Sequence, residues 1–220
     1  ETAQIMMKKD PNSRIREIFG EHLIACICEG GTENTYIRMF LENKVLIFDE
    51  TQLLEEEPVR ERSIKNFEKK FMGKSFNKKL VFLRILDSRG EEFKICQLSK
   101  VNQKRVADVV NVYTRPEIEM ILICAEDIFE DYHQYVARKK GSSGTSKPSE
   151  YCKEVLGLQD CKRPVFLEQY FSDPEKLIRA ICRYGQKMGR KSNDEFFLSD
   201  LLKPDCRACP GNAGHNSPST

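Results

Sequence analysis

The chain has 220 residues, 40% hydrophobic and 32% charged, and its 36 basic and 34 acidic side chains leave a formal net charge of +2. These values suit one large core, or a core with an appended helical lobe, and they exclude a grip on nucleic acid that rests on overall charge, so any such contact must be local. No apolar run reaches the length of a membrane span and no signal-peptide pattern is read at the start, so the expectation is a cytoplasmic protein with no membrane partner.

In chain order, residues 1–10 read as a flexible lead-in. The run His22 to Cys28 (HLIACIC) is short, apolar and stopped by Glu29-Gly30-Gly31, which predicts a buried strand. Thr32 is placed to cap a helix whose Tyr36, Ile37, Phe40 and Leu41 share one face. Val45 to Phe48 (VLIF) reads as a second buried strand, ending at Asp49. Strand, helix and strand over so short a stretch predict a parallel βαβ unit with a right-handed crossover. Val59 to Lys79 is rich in lysine and carries Ile64, Phe67 and Phe71 at helical spacing, an inserted helix laid across the sheet. Its lysines are read as a solvated face or, alternatively, as a nucleic-acid contact.

Leu80 to Leu86 (LVFLRIL) is the third predicted strand and ends at Asp87. After it the pattern fits either a helix start or a hairpin strand at Phe93 to Leu98. Val109 to Tyr113 predicts another strand. Thr114-Arg115-Pro116-Glu117 combines a cap, a proline and a capping-box glutamate, and predicts one continuous helix to Lys140. Residues 141–146 (GSSGTS) read as a linker. Beyond it the expected helices are Glu150 to Leu156, one capped by Asp173-Pro174, and a last piece within Asn193 to Leu202. The expected organisation is therefore an α/β domain over 14–140, a helical extension over 147–203 packed on it, and a flexible tail over 204–220.

Nine cysteines, an odd number lying mostly inside apolar periods, predict reduced thiols in a reducing compartment. Cys206-x-x-Cys209, with His215 beyond, is open to two readings: part of a metal site, or part of a Gly/Pro/Ser-type tail. His22, His133 and His215 have no paired nucleophile, and the chain carries neither a P-loop nor a dinucleotide glycine pattern.

In an open α/β sheet, ligands bind beyond the carboxyl ends of the strands. Glu29, Asp49 and Asp87 each follow a predicted strand, and acids gathered there suggest an oxygen-ligated cation such as Mg²⁺. The same pattern also arises because loops are polar and helix starts favour acids.

Cys28-Glu29-Gly30-Gly31-Thr32-Glu33, followed by an amphipathic helix, resembles the opening of Toprim domains, and most closely the RloB-like and OLD-like Toprim proteins of bacterial defence loci. Arg115-Pro116-Glu117-Ile118-Glu119 resembles a helix start in the RloB-like branch. The likeness covers roughly residues 20–130. It implies a mainly parallel sheet flanked by helices, and a nuclease-type phosphodiesterase using Mg²⁺ or Mn²⁺ on DNA or RNA, in an anti-phage defence role.

Glu29 takes the place of the family's invariant glutamate, as general base or acid, and Asp87 that of its first metal-holding aspartate. Glu119 or Asp49 assists at the metal, and Arg89 or Arg115 clamps a phosphate or serves as an ion-pair partner. Where the family pattern is D-x-D this chain has Asp87-Ser88-Arg89, which puts turnover in doubt. The alternative function is accordingly an inactive interaction module that binds a partner ATPase. A homodimer is compatible with either.

Overall fold

Three strands, β1 Leu23–Cys28, β2 Leu80–Leu86 and β3 Val106–Tyr113, pair in the order β1-β2-β3, every pair parallel. The register runs from Leu23 opposite Leu80 to Cys28 opposite Ile85, and on to Leu86 opposite Tyr113. The coordinates are a computed structural model that describes residues 11–87, 93–139, 147–190, 192 and 195–207. Cys209, His215 and the 141–146 stretch lie outside the described residues. β2, in the centre, is buried along its whole length, as a strand covered on both faces must be.

Side chains alternate between two cores. Ile24, Cys26, Cys28, Val81, Leu83, Ile85, Val110 and Val112 enter the larger one, while Ala25, Ile27, Leu80 and Phe82 enter the smaller one on the opposite face. The larger core is closed by α1 Pro11–Glu21, α2 Gly31–Glu42 and α5 Met120–Ala125, and by the C-terminal helices α7 Pro148–Glu154, α8 Pro164–Tyr170 and α9 Pro174–Lys187. The smaller core is closed by α3 Ile64–Phe71, through Ile64 and Phe67. Short helices α4 Lys100–Gln103 and α10 Pro204–Arg207 and the longer α6 Phe129–Lys139 complete the set. The protein is thus an α/β layered structure with a parallel sheet flanked by helices. The C-terminal helices share its main core rather than standing apart. Among the described residues, no helix is long and apolar enough to cross a membrane.

Two expectations need correction. Val45 to Phe48 is not a strand of the sheet: Leu46 forms only an isolated antiparallel bridge to Leu202, and Phe48 packs edge-on against Phe19, ring centroids 5.4 Å apart. A four-residue apolar run is too short to separate a strand from buried coil by periodicity. The free edge of β1 is instead met by the segment leading to α3. Leu54 and Val59 donate backbone hydrogen bonds to Ile24 and Cys26 at 2.9 and 2.7 Å. The connection from β1 to β2 therefore carries α2 on one face, passes the edge of β1, and lays α3 on the other face.

The second correction concerns Thr114 to Lys140, which is not one helix. Thr114 extends the end of β3, its N–H donating to the Leu86 carbonyl at 2.8 Å, and helical structure starts only at Met120. Glu117 caps nothing in its own helix. It accepts from the Ser149 N–H at 3.0 Å at the start of α7. Asp127, with φ of +59°, then separates α5 from α6. The apolar stripe survives the break, since Ile121 and Leu122 are both fully buried. Replacing either with Ala is expected to cost about 2–5 kcal/mol in denaturant melts, and losses near zero would remove α5 from the core. Phe93 to Leu98 forms no hairpin strand, since Ile95–Gln97 is a single 3-10 turn, and the alternative helix start after Asp87 lies outside the described residues.

A candidate metal-binding carboxylate site

Because β1 and β2 are parallel and in register, the residues just past their ends are neighbours. The Glu29 N–H donates to the Ile85 carbonyl at 3.0 Å, continuing the ladder. Its side chain turns toward β2 and accepts from the Asp87 N–H on Oε2 at 2.8 Å. Oε1 accepts from Arg62 Nη2 at 2.6 Å, and the Glu29 side chain is only 12% exposed. The structure thus brings Glu29 and Asp87 together. Burial pushes the Glu29 carboxyl above its usual range, and the adjacent Asp87 carboxyl adds to the rise while its N–H opposes it.

Two further acids sit behind this pair. Glu33, in the first turn of α2, is buried, and its carboxylate folds back over Gly30. A Cβ at Gly30 would lie 2.6 Å from Glu33 Oε2, so the glycine leaves the space that carboxylate occupies. Burial raises the Glu33 carboxyl; the backbone N–H groups of Glu33 and Gly30 oppose the rise, and the charges of Asp87 and Glu119 add to it. Glu119 is 2% exposed. Its Oε1 lies 3.3 Å from the Lys162 ammonium but accepts no hydrogen bond. Burial raises this carboxyl too, with Lys162 opposing.

Asp49 is not brought to this group. Since Val45 to Phe48 forms no strand, Asp49 stands at no strand end. It caps the turn Glu50–Gln52, accepting from the Thr51 N–H at 2.9 Å. The Thr51 hydroxyl holds the exposed Asp49 carboxyl below the usual range, with slight desolvation opposing. Arg115 is committed elsewhere, paired at 2.8 Å with buried Glu195 and donating to the Gly189 carbonyl at 3.2 Å. Arg89 lies outside the described residues.

Sequence reasoning missed Glu33, Arg60, Arg62 and Lys162. Glu33 closes the Cys28-to-Glu33 motif, yet a glutamate in the first helical turn reads by default as a cap. Lys162 is distant in sequence and arrives through the loop before α8, where its carbonyl accepts from the Thr32 hydroxyl at 3.5 Å. The Arg60 guanidinium lies over Gly31, 3.4 Å from where a Cβ would stand. Beside it opens a groove of about 410 Å³ lined by Asn34, Thr35, Arg38, Arg60, Pro164 and Glu168.

The raised carboxyls carry a pH prediction. A carboxylate whose folded pKa lies above its unfolded value of about 4.3 contributes stability that is full below that value and is lost as pH rises through the folded one. Glu29, Glu33 and Glu119 share that sign. Asp49, Glu61 and Glu68 are shifted downward and act oppositely, below about pH 4. Between about pH 4.5 and 7 the wild type should therefore lose more stability than Glu33→Gln/Glu119→Gln. Thermal melts across that window check it, and parallel profiles would contradict it.

The residues fit a hydrated Mg²⁺ rather than an enclosed ion. The donor set is all carboxylate oxygen, as that ion prefers, and it usually keeps several waters and takes only one or two carboxylates. Glu119 Oε1 is buried beside Lys162 without a hydrogen bond, and burial raises all three carboxyls, a cost to their charged forms that a nearby cation would offset. Among the described residues, no group of three or more His, Cys, Asp or Glu side chains is already arranged around an ion position. Arg62, with its side chain 47% exposed, holds the oxygen an ion would take.

Comparison of the chain with protein-family models, with curated proteins and with solved structures returns no match to any of them.

Proposed function

We propose that the chain is a Toprim-like nuclease-type phosphodiesterase, cleaving DNA or RNA in the cytoplasm with Mg²⁺ or Mn²⁺ held by Glu29 and Asp87. The observation that supports it is the Glu29–Asp87 contact past the ends of two adjacent parallel strands, with buried Glu33 and Glu119 behind it. A divalent ion there would polarise a phosphoryl oxygen and lower the pKa of an attacking water. In this reading Glu29, its proton affinity raised by burial, takes or gives the proton at the scissile phosphate through Oε1 or Oε2. Arg62 swings from Glu29 toward phosphate, and Arg60 faces the groove that receives the flanking nucleotide. Lys162 stays with Glu119 and keeps that carboxylate compensated. The anti-phage role rests on the resemblance of the Cys28-to-Glu33 motif alone.

Incubating the wild-type protein with single- and double-stranded DNA and RNA, in Mg²⁺, Mn²⁺ or chelator, tests the reading. Cleavage only with metal is expected. No cleavage of any substrate would favour the second reading, an inactive module that binds a partner ATPase. The Arg62–Glu29 ion pair supports that alternative, because it already satisfies the carboxylate without a metal.

A further inference from the structure

The two segments that lead into the starts of β2 and β3, at the end of the sheet opposite the carboxylates, are strongly basic. Residues 64–79 carry six lysines and one glutamate, and residues 94–105 carry four basic residues and no acid. These 28 residues hold a net charge of +9 in a chain whose total is +2, so the remainder is net acidic.

The fold joins the two segments. Glu68 on α3 accepts from the Ser99 N–H and from Asn102 Nδ2, both at 2.8 Å. Arg105 donates to the Met72 carbonyl at 2.6 Å and to the Lys74 carbonyl, and its guanidinium stacks 4.3 Å from the Phe76 ring centroid. The Leu80 N–H donates to the Arg105 carbonyl at 2.8 Å, so Lys79 and Lys104 stand at neighbouring strand starts.

Lys69, Lys78, Lys79, Lys100 and Lys104 are all exposed there. Lys70 pairs with Glu61 and Lys74 with Glu55, whereas these five form no ion pair among the described residues. Glu68, the one acid within the two segments, is spent on holding Ser99 and Asn102 and neutralises none of the five.

We propose that this face binds the phosphate backbone of double-stranded nucleic acid as an anchoring surface separate from the carboxylate site. Regularly spaced phosphates complement exposed lysines that make no ion pair among the described residues and that stand on segments tied together by Glu68 and Arg105, and binding releases the counterions condensed on the duplex. The surface lies about 25 Å from Asp87 along β2, so a duplex held here leaves the carboxylate end open. The assignment does not depend on the metal site.

The test is fluorescence anisotropy of labelled duplex DNA and duplex RNA across a salt series, in chelator, so that cleavage plays no part. Lys78→Gln/Lys79→Gln/Lys104→Gln should weaken binding at least about tenfold and reduce the slope of log K against log salt by about 2–3, near 0.9 per lost contact. Its melting temperature should match the wild type, and Lys153→Gln on α7 should bind as the wild type does. Absence of wild-type binding at 50 mM salt would overturn the proposal. So would a triple variant that binds with an unchanged slope. Capture by phosphatidylserine vesicles, lost in the triple variant while duplexes remain unbound, would overturn it in favour of an acidic lipid surface.

Discussion

Glu29→Gln and Asp87→Asn should each lower metal-dependent cleavage by about 10²–10⁴-fold while leaving the protein folded. The expectation follows from how each carboxylate is held. Glu29 reaches Asp87 through the Asp87 N–H, which a glutamine oxygen can still accept from, so the strand ends keep their geometry. The amide removes the negative charge that a cation requires and the proton-accepting group that the reaction requires. Folding should not suffer, because the Glu29 carboxyl is already destabilised by burial and by Asp87. Loss of cleavage with an unchanged or slightly higher melting temperature is the expected pair of results. Cleavage that survives both substitutions would place the chemistry elsewhere in the molecule.

A second large effect is expected in the small core. Phe67 is fully buried, with its ring centroid 4.9 Å from those of both Phe71 and Phe82. Ile64 and Phe67 are the two buried residues of α3, and of its aromatic rings Phe67 is the fully buried one that packs against β2. Phe67→Ala should cost about 3–5 kcal/mol in denaturant unfolding. Because α3 and Arg62 lie in the same connection, the loss should also loosen the Arg62–Glu29 pair. A cost below about 1 kcal/mol would mean that α3 is not anchored through that ring.

The strands were legible where apolar runs were long or sharply bounded. Leu23–Cys28 stops at Glu29-Gly30-Gly31, and Leu80–Leu86 stops at Asp87, so both strands and the placement of their acids could be read from composition alone. The helix after Asp173-Pro174 was equally clear, since Asp173 accepts from the Glu175 N–H as a cap should. Val45 to Phe48 was not legible, because a short apolar run buried under a helix looks like one buried in a sheet. The same ambiguity misplaced Asp49.

Thr114 to Glu119 mimicked a helix start in residue types, but tertiary contacts decided otherwise: Thr114 is spent on β3 and Glu117 on the start of α7. Half of the candidate site was likewise hidden. Lys162 approaches Glu119 from 43 positions away in sequence, a contact that no local spacing announces.

Metal binding by Glu29 and Asp87 is tested by a Mn²⁺ titration followed by thermal melting, comparing the wild type with Glu29→Gln and Asp87→Asn. A metal bound by the folded state alone raises its melting temperature in proportion to RT ln(1 + [L]/Kd), and binding between crowded carboxylates should also relieve their repulsion. A saturable rise is expected for the wild type and none for either variant. An equal rise in all three proteins, or none in the wild type across millimolar metal, would contradict metal binding by this pair.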